Sequence, residues 1–372
     1  MNGSALLVGG TGPTGPHIVR GLLDRGYDVT VLHRGTHELP ELDGLEHIHA
    51  DPHFREALGE ALAGRSFDLA VVTYGRLRHV ADALAGRCER LVAVTGLPVY
   101  PGYHDPGQVW PPGMAILATE DAAGPRPADP DEPQAARFSR LIAESERHVL
   151  GLHEAGAFRG TVVRYPGIYG PRQLYPREWS IIRRVLDKRP YVIVPDAGLT
   201  LITRCAAVNA AHFVLTAAHA DAAAGEIFNA ADLQQYSLAQ WIRLTAAAIG
   251  GELELVSLPF ELAGPGRGLF PVPHTAHGLV SVQKARELLG YTDAVPAVEA
   301  LTDTVQWYAE NPPDQSVTDR MVDKFDYAAE DRVVAAYRAA TAGLLAAQGP
   351  AEAAAHPYPH PKAVGVADHR NR

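Results

Sequence analysis

Short apolar runs and helical stripes alternate through the first half of the chain. Ala5 to Val8 is a continuous apolar run that ends in glycine, the stripe Ile18, Val19, Leu22 and Leu23 follows, and Val29 to Leu32 resumes the run after Gly26. Uninterrupted runs of this length fit strands buried on both faces, and the three-and-four spacing fits one side of a helix. Further runs occur at Leu45 to His49, Leu69 to Val72, Leu91 to Thr95 and Gly160 to Arg164, with a helical pattern from Arg137 to Leu152. That alternation predicts a parallel sheet covered by helices. The second half predicts strands at Tyr191 to Val194 and Glu252 to Ser257. Helices are expected at Trp179 to Leu186, Ala206 to Ala218, Leu238 to Ile249 and Val282 to Leu289. The expected class is therefore α/β, a Rossmann-type doubly wound parallel sheet with a smaller mixed α/β C-terminal substrate lobe. Residues 1–172, with contributions from 200–230, would form the first domain and 173–312 the second. Residues 313–348 would be a helical extension, and 349–372 a tail with too little apolar content to fold. The stretch from Pro98 to Pro133 is dense in Pro, Gly and Asp and too long for a plain connection, so it reads as a lid or substrate loop.

The turn after the first strand carries the chemistry. Gly9, Gly12 and Gly15 are spaced G-x-x-G-x-x-G between a strand and a helix, inside a β-α-β unit of the right length. Glycine permits positive φ and lets a pyrophosphate approach the main chain, and the free N–H groups and dipole of the helix N-terminus favour an anion. Pro13 has no N–H to offer, so Thr14 and the Thr11 hydroxyl are the expected donors. The end of the second strand selects the cofactor. A site for NAD places Asp or Glu there, whereas this chain has His33 and Arg34 and no carboxylate before Glu38. NADP (NADPH) is the expected ligand, with Arg34 gripping the 2′-phosphate and Thr36 and His37 adding hydrogen bonds.

At 372 residues, 47% of them hydrophobic, the chain is long enough for two packed lobes and has no run long enough to cross a bilayer. The first strand begins without a basic leader, so a cytoplasmic location is expected. Cys88 and Cys205 have no redox or metal spacing, and no His motif for a metal is present, so no metal is expected. The net charge of −10 argues against a general nucleic-acid surface, leaving one local basic patch at Arg177, Arg183, Arg184, Lys188 and Arg189. The expected partner is a small-molecule substrate, without membrane or nucleic acid; a homodimer is left open.

With these elements placed, the chain resembles the extended short-chain dehydrogenase/reductases, the NAD-dependent epimerase/dehydratase family. The glycine loop, Asp51 after the third strand, FDLAVVTYG at Phe67 to Gly75, VRYPGIYGPRQ at Val163 to Gln173 and SVQKARELLGY at Ser281 to Tyr291 carry the likeness in order. The resemblance implies Asp51 beside adenine, Thr73, Tyr74 and Gly75 along the cofactor ribose, and Tyr165, Pro166, Gly167 and Ile168 flanking nicotinamide. The bland alternatives are a helix cap for Asp51 and strand-end packing for Thr73 and Tyr165.

The family's chemistry uses a Ser or Thr with Tyr and Lys spaced Y-x-x-x-K, so that the ammonium one turn away tunes the phenol. Here VAVTGLPVY puts Gly96 at the hydroxyl position, with Thr95 as the neighbouring substitute. The helix motif aligns Ala136 with tyrosine and Arg140 with lysine. All three standard groups are altered. The expectation is an NADP(H)-dependent oxidoreductase on a small or medium organic substrate with a non-standard proton donor. Tyr100 or Tyr103 would be that donor, and Arg140 would hold the nicotinamide ribose, its pKa being too high to shuttle protons. His104, Tyr169, Arg172, Tyr175, His274 and His277 are further cleft candidates. A redox-neutral isomerase, epimerase, dehydratase or cyclase, or a non-catalytic NADP-binding regulator, are the alternatives on the same fold.

Overall fold

A computed structural model describes residues 3–36, 38–124, 131–270, 272–349 and 364–365. Two compact units divide the chain, Met1–Asp326 and Tyr327–Arg372. In the first, the order runs β1 (Ser4–Val8), α1 (Gly15–Leu23), β2 (Asp28–His33), β3 (Glu46–His49), α2 (Arg55–Ala61), β4 (Phe67–Val72), α3 (Leu77–Leu84), β5 (Cys88–Gly96), α4 (Gln134–Glu154) and β6 (Arg159–Tyr165). It continues β7 (Gly167–Tyr169), α5 (Arg177–Leu186), β8 (Tyr191–Pro195), β9 (Arg204–Ala206), α6 (Ala207–His219), β10 (Ile227–Asn229), α7 (Leu238–Ala247), β11 (Glu254–Leu258), α8 (Gln283–Leu289), α9 (Ala297–Glu310) and α10 (Gln315–Thr318). The second unit is described by one helix, α11 (Tyr327–Gln348). His37, expected to bond the cofactor phosphate, and residues 350–363 and 366–372, expected to form an unfolded tail, lie outside the described residues.

Seven strands form one sheet in the order β10-β6-β5-β4-β1-β2-β3, and every pairing in it is parallel. Chain order reverses between β1 and β4, which opens a crevice beyond their C-terminal ends, where such sheets bind ligands. Period-two alternation builds the two faces. Ala5, Leu7, Val29 and Val31 pack against α1 and α6, while Leu6, Val8, Leu32 and Ala70 pack against α2, α3 and α4. Each such aliphatic side chain contributes about 1.5 to 3 kcal/mol by leaving water, which fixes the register because a one-residue slip exposes a whole face.

A separate core joins α5, α7, α9 and β8 through Trp179, Ile182, Val194, Trp241, Leu301 and Tyr308, and β8 pairs in parallel with β11. This is the smaller mixed α/β lobe. The strands β7, β9 and β10 have three residues each and present no hydrophobic run, which is why the sequence pattern passes over them. Inside the long connection after β5, Leu97, Val99, Tyr100, Met114 and Ala118 form their own small core with Ala143 of α4 and Val280. Ala118 also bridges to Val280. This segment is packed against the fold along that stretch.

Candidate active site

The β1–α1 turn has the geometry of a phosphate loop. Gly9 and Gly10 have φ of +106° and +89°, values that only glycine adopts without strain. At Gly15 an added Cβ would lie 1.7 Å from the Gly10 carbonyl oxygen, so this glycine lets α1 start against the turn. Gly12 differs. Its φ is not positive and an added Cβ would meet nothing within 4 Å, so it borders open space. Thr14 at the helix N-cap makes no side-chain cap, leaving the first-turn N–H groups of α1 without one. Gly12 is a cradle a side chain would fill, and with the uncapped helix it fits a dinucleotide pyrophosphate. Thr11 is half-buried on the same turn, and Pro13 adds stiffness without a donor.

Along the next strand ends, Thr73 Oγ1 donates to the Val8 carbonyl at 3.0 Å and stands 2.4 Å from a Cβ placed on Gly9, which ties β4 to the turn. Gly75 has φ of +100° and lies against Pro52. Arg34 is exposed, its guanidinium 5.4 Å over the Tyr74 ring, and Tyr74 meets the His53 ring edge-on at 5.1 Å. His53 in turn contacts Asp51, whose Oδ1 also accepts the His53 backbone N–H at 3.0 Å. Those bonds hold the Asp51 carboxyl below its ordinary range. Asp51 is part of this turn and does not cap α2, whose N-cap is Phe54. Arg34, Asp51, Thr73, Tyr74 and Gly75 therefore gather at the end of β2 through β4.

A cleft of about 930 Å³ opens past β5 and β6, bordered by Thr73, Thr95, Gly96, Tyr103, Phe138 and Ile168 among others. The face that α4 turns to it consists of Phe138, Leu141, Ile142 and Ser145, the i, i+3, i+4, i+7 stripe of one helical side. Two pairs on this stripe have Y-x-x-x-K spacing, Phe138 with Ile142 and Leu141 with Ser145, and neither holds a tyrosine or a lysine. Ala136 and Arg140 are not on the side of α4 that borders the cleft. Arg140 is turned instead to Glu132 (2.6 Å) and Glu144 (2.5 Å), and these bonds raise its pKa further. The expected role of Arg140 at the nicotinamide ribose is corrected on this ground: its donors are committed to carboxylates.

Tyr100 is likewise placed away from the cleft. It is 1% exposed, its hydroxyl donates to Asn229 Oδ1 at 2.7 Å and accepts from Arg164 at 2.9 Å, and burial pushes its pKa up to about 12. Arg164 and Glu146, each 2% exposed, form an ion pair at 2.8 Å, and Thr95 donates to the same Glu146 at 2.7 Å. Thr95 borders the cleft, but its proton is held by Glu146. A buried pair of this kind costs about 3 to 5 kcal/mol when one partner is removed. This network pins the long connection, since Arg164 also donates to the Glu120 carbonyl.

Tyr103 is the phenol that faces the cleft. Its hydroxyl makes no hydrogen bond among the described residues, and burial raises its pKa against the opposing pull of Arg177 and Arg204. It is a neutral donor near pH 7. His104 packs edge-on to Tyr103 at 5.1 Å, and burial lowers its pKa. Arg177, at the first turn of α5, borders the cleft and makes no hydrogen bond or ion pair among the described residues. Arg204 lies 4.7 Å over the Trp241 ring, and burial, with Arg177 adding repulsion, lowers its pKa to about 10. Both line a small void that shares Gly167 and Ile168 with the cleft. The sequence placed Arg177 in a basic patch; that patch is not one surface, because Arg184 is buried against Asp323 and Arg183 pairs with Asp187.

The other candidates are committed elsewhere. Tyr165 borders the cleft beside Pro166, but its hydroxyl donates to the Ala210 carbonyl at 3.2 Å. Tyr169 is buried and donates to Asp232, Arg172 pairs with Glu41, and Tyr175 is exposed. His274 bonds the Tyr103 carbonyl, and His277 accepts the Leu201 N–H. Sequence spacing missed Phe138 and Ile142, the Arg177–Arg204 pair, and a gathering of His33, Glu38, His47 and His49 on neighbouring strands.

Comparison with known proteins agrees with this architecture. The chain is similar to a 3-diazoavenalumate denitrifying reductase from a Streptomyces species, 27% identical over 318 residues that span 78% of this chain and 96% of the relative. It shares its fold with the UDP-glucose 4-epimerase of Thermotoga maritima (TM-score 0.64, 16% identity, 83% of this chain and 100% of the other). The dTDP-glucose 4,6-dehydratase of Streptomyces venezuelae, solved with NAD, is similar as well (TM-score 0.61, 20% identity, 83% and 97% covered). No family model matches the chain. The fold is the one these epimerase and dehydratase structures share, a seven-stranded parallel sheet flanked by helices. The relative is named a reductase and the solved neighbours an epimerase and a dehydratase, which together support oxidoreductase-type or related activity on this fold. Among the described residues no helix is long and apolar enough to cross a membrane.

Proposed function

We propose that this enzyme is an NADPH-dependent reductase acting on an anionic organic substrate. The observation that carries the reading is the pair Phe138 and Ile142 on the cleft face of α4. Oxidising a hydroxyl needs a base to take its proton, and neither side chain is one. Reversible oxidation, on which sugar epimerisation and dehydration depend, is disfavoured for the same reason. Reduction needs at most an acid, and the neutral Tyr103 phenol is positioned to be it. Gly9, Gly12, Gly15 and the α1 N-terminus would hold the pyrophosphate, and Arg34 the 2′-phosphate. Bound NADPH supplies a hydride. Arg177, which borders the cleft without an ion-pair partner among the described residues, would bind the anionic group of the substrate, with the buried Arg204, itself faced by Glu178, behind it.

A second reading is favoured by the name of the Streptomyces relative, a reductase of a diazo compound that loses nitrogen. An acceptor of that kind takes hydrogen in place of a departing dinitrogen and needs no proton from the protein, which suits a cleft that has lost its proton-transfer pair. Tyr103 would then only bind. Steady-state assays following NADPH consumption separate the two: carbonyl-bearing and diazo-bearing aryl carboxylates are offered to the unmodified enzyme and to Tyr103→Phe. Reduction of a carbonyl acid with a large loss in Tyr103→Phe supports the first, and dinitrogen release that survives Tyr103→Phe supports the second. NADPH consumption with neither substrate class, alongside efficient oxidation of alcohols, contradicts both.

A further inference from the structure

Beyond the cofactor cleft, three imidazoles and a carboxylate meet at the edge of the sheet. His33 ends β2, and His47 and His49 lie on β3 in register with Val31 and His33. Alternation therefore sends all three side chains to one face. The His33 ring stands 5.0 Å from each of the other two, edge-on, and Glu38 Oε1 comes within 3.4 Å of His49 Nε2. One ligand atom from each of the four lies within 4.8 Å of every other. We infer that His33, His47, His49 and Glu38 form a binding site for a divalent transition metal of the zinc class.

Three imidazole nitrogens and one carboxylate oxygen are a donor set zinc accepts, and tetrahedral bonds of about 2.0 to 2.1 Å put donors roughly 3.3 Å apart. The four atoms would need to move by about 1 Å or less to match that spacing. Outer contacts already orient one ligand. His47 Nε2 bonds the Leu42 carbonyl at 3.0 Å, which fixes that nitrogen as the donor and leaves the Nδ1 lone pair facing His33. Loading releases two bonds of His33, that of its Nε2 with His47 Nδ1 at 2.7 Å and the Gly35 N–H accepted by its Nδ1 at 3.1 Å, as Nε2 becomes the ligand. Gly35 has φ of +73° on a turn, with the freedom to move away. The Glu38 and His49 side chains are 54% and 58% exposed, so an ion can enter from solvent. Loaded, the site would clamp the segment between β2 and β3 that carries Arg34.

The test uses the full chain stripped of metal by a chelator, with Zn²⁺ alone in calorimetry and Co²⁺ alone in visible absorption. One equivalent is expected to bind, with the stronger ligand-field bands of four-coordinate Co²⁺. His49→Ala and Glu38→Gln change exposed side chains and should leave the fold intact while weakening Zn²⁺ by about tenfold or more. The His356→Ala/His360→Ala double variant should bind as the unmodified protein does. Equal Zn²⁺ affinity in His49→Ala, Glu38→Gln and unmodified protein would overturn the site, as would binding lost only in the His356→Ala/His360→Ala variant, or no binding.

Discussion

The β1–α1 turn and the cleft face of α4 differ in what they are built from. At the β1–α1 turn each glycine has a separate steric purpose, two through positive φ at Gly9 and Gly10 and one through close packing at Gly15, and an anion cradle is left open beside Gly12. At the α4 face the side chains turned to the cleft are Phe138, Leu141, Ile142 and Ser145. The main chain thus offers the geometry proposed to hold a dinucleotide, whereas the side chains α4 turns to the cleft offer no Tyr–Lys pair for moving protons. The lesson is that cofactor binding on this fold is written mainly in the main chain, and reaction type in a few side chains that can be exchanged without disturbing it.

The largest expected effect lies within the glycine turn. Gly15→Ala drives a Cβ into the Gly10 carbonyl and should destabilise the protein by about 3 kcal/mol or more, read by denaturant unfolding. Gly12→Val, three residues earlier, should keep stability nearly unchanged and lose most NADPH affinity in calorimetry. Equal stability losses for the two would erase the distinction between a packing glycine and a ligand glycine.

At the opposite end, Tyr103→Phe should lower turnover of a carbonyl substrate by roughly 10² to 10⁴ with NADPH affinity unchanged. Tyr100→Phe removes a hydroxyl shared by Arg164 and Asn229, and should instead cost about 1 to 3 kcal/mol of stability with turnover kept in the folded fraction. The opposite assignment of the two effects would mean the cleft has been read from the wrong tyrosine.

Smaller changes sharpen the comparison. Arg34→Ala should remove a charge-assisted phosphate contact of about 1.5 to 3 kcal/mol and with it most of the preference for NADPH over NADH. Arg140→Ala should change NADPH affinity by no more than about twofold, because the Arg140 guanidinium is engaged by Glu132 and Glu144. A large loss of cofactor binding in Arg140→Ala would return that residue to the ribose.

How much of this was legible in the sequence follows the same divide. The central strands were readable because a strand buried on both faces must be continuously apolar, and the glycine spacing was readable because Gly9 needs a positive φ and Gly15 packs against the Gly10 carbonyl, with Gly12 spaced between them beside open space. The phase of α4 was not, since the stripe Phe138, Ile142 and Ser145 and the alternative through Ala136 and Arg140 are both helical, and only packing decides between them. Tyr100 and Tyr103 are three residues apart on an irregular segment, where no periodicity tells which one points inward. The Arg177–Arg204 pair and the three histidines come from separate elements, so no local spacing announces them.

The central claim, that the dinucleotide end is intact and built for the phosphorylated cofactor, is tested most directly by calorimetric titration of the unmodified protein with NADPH and with NADH. The account predicts one site that binds NADPH at least about tenfold more tightly than NADH. Equal affinities would contradict the role of Arg34, and no binding of either would contradict the phosphate loop itself.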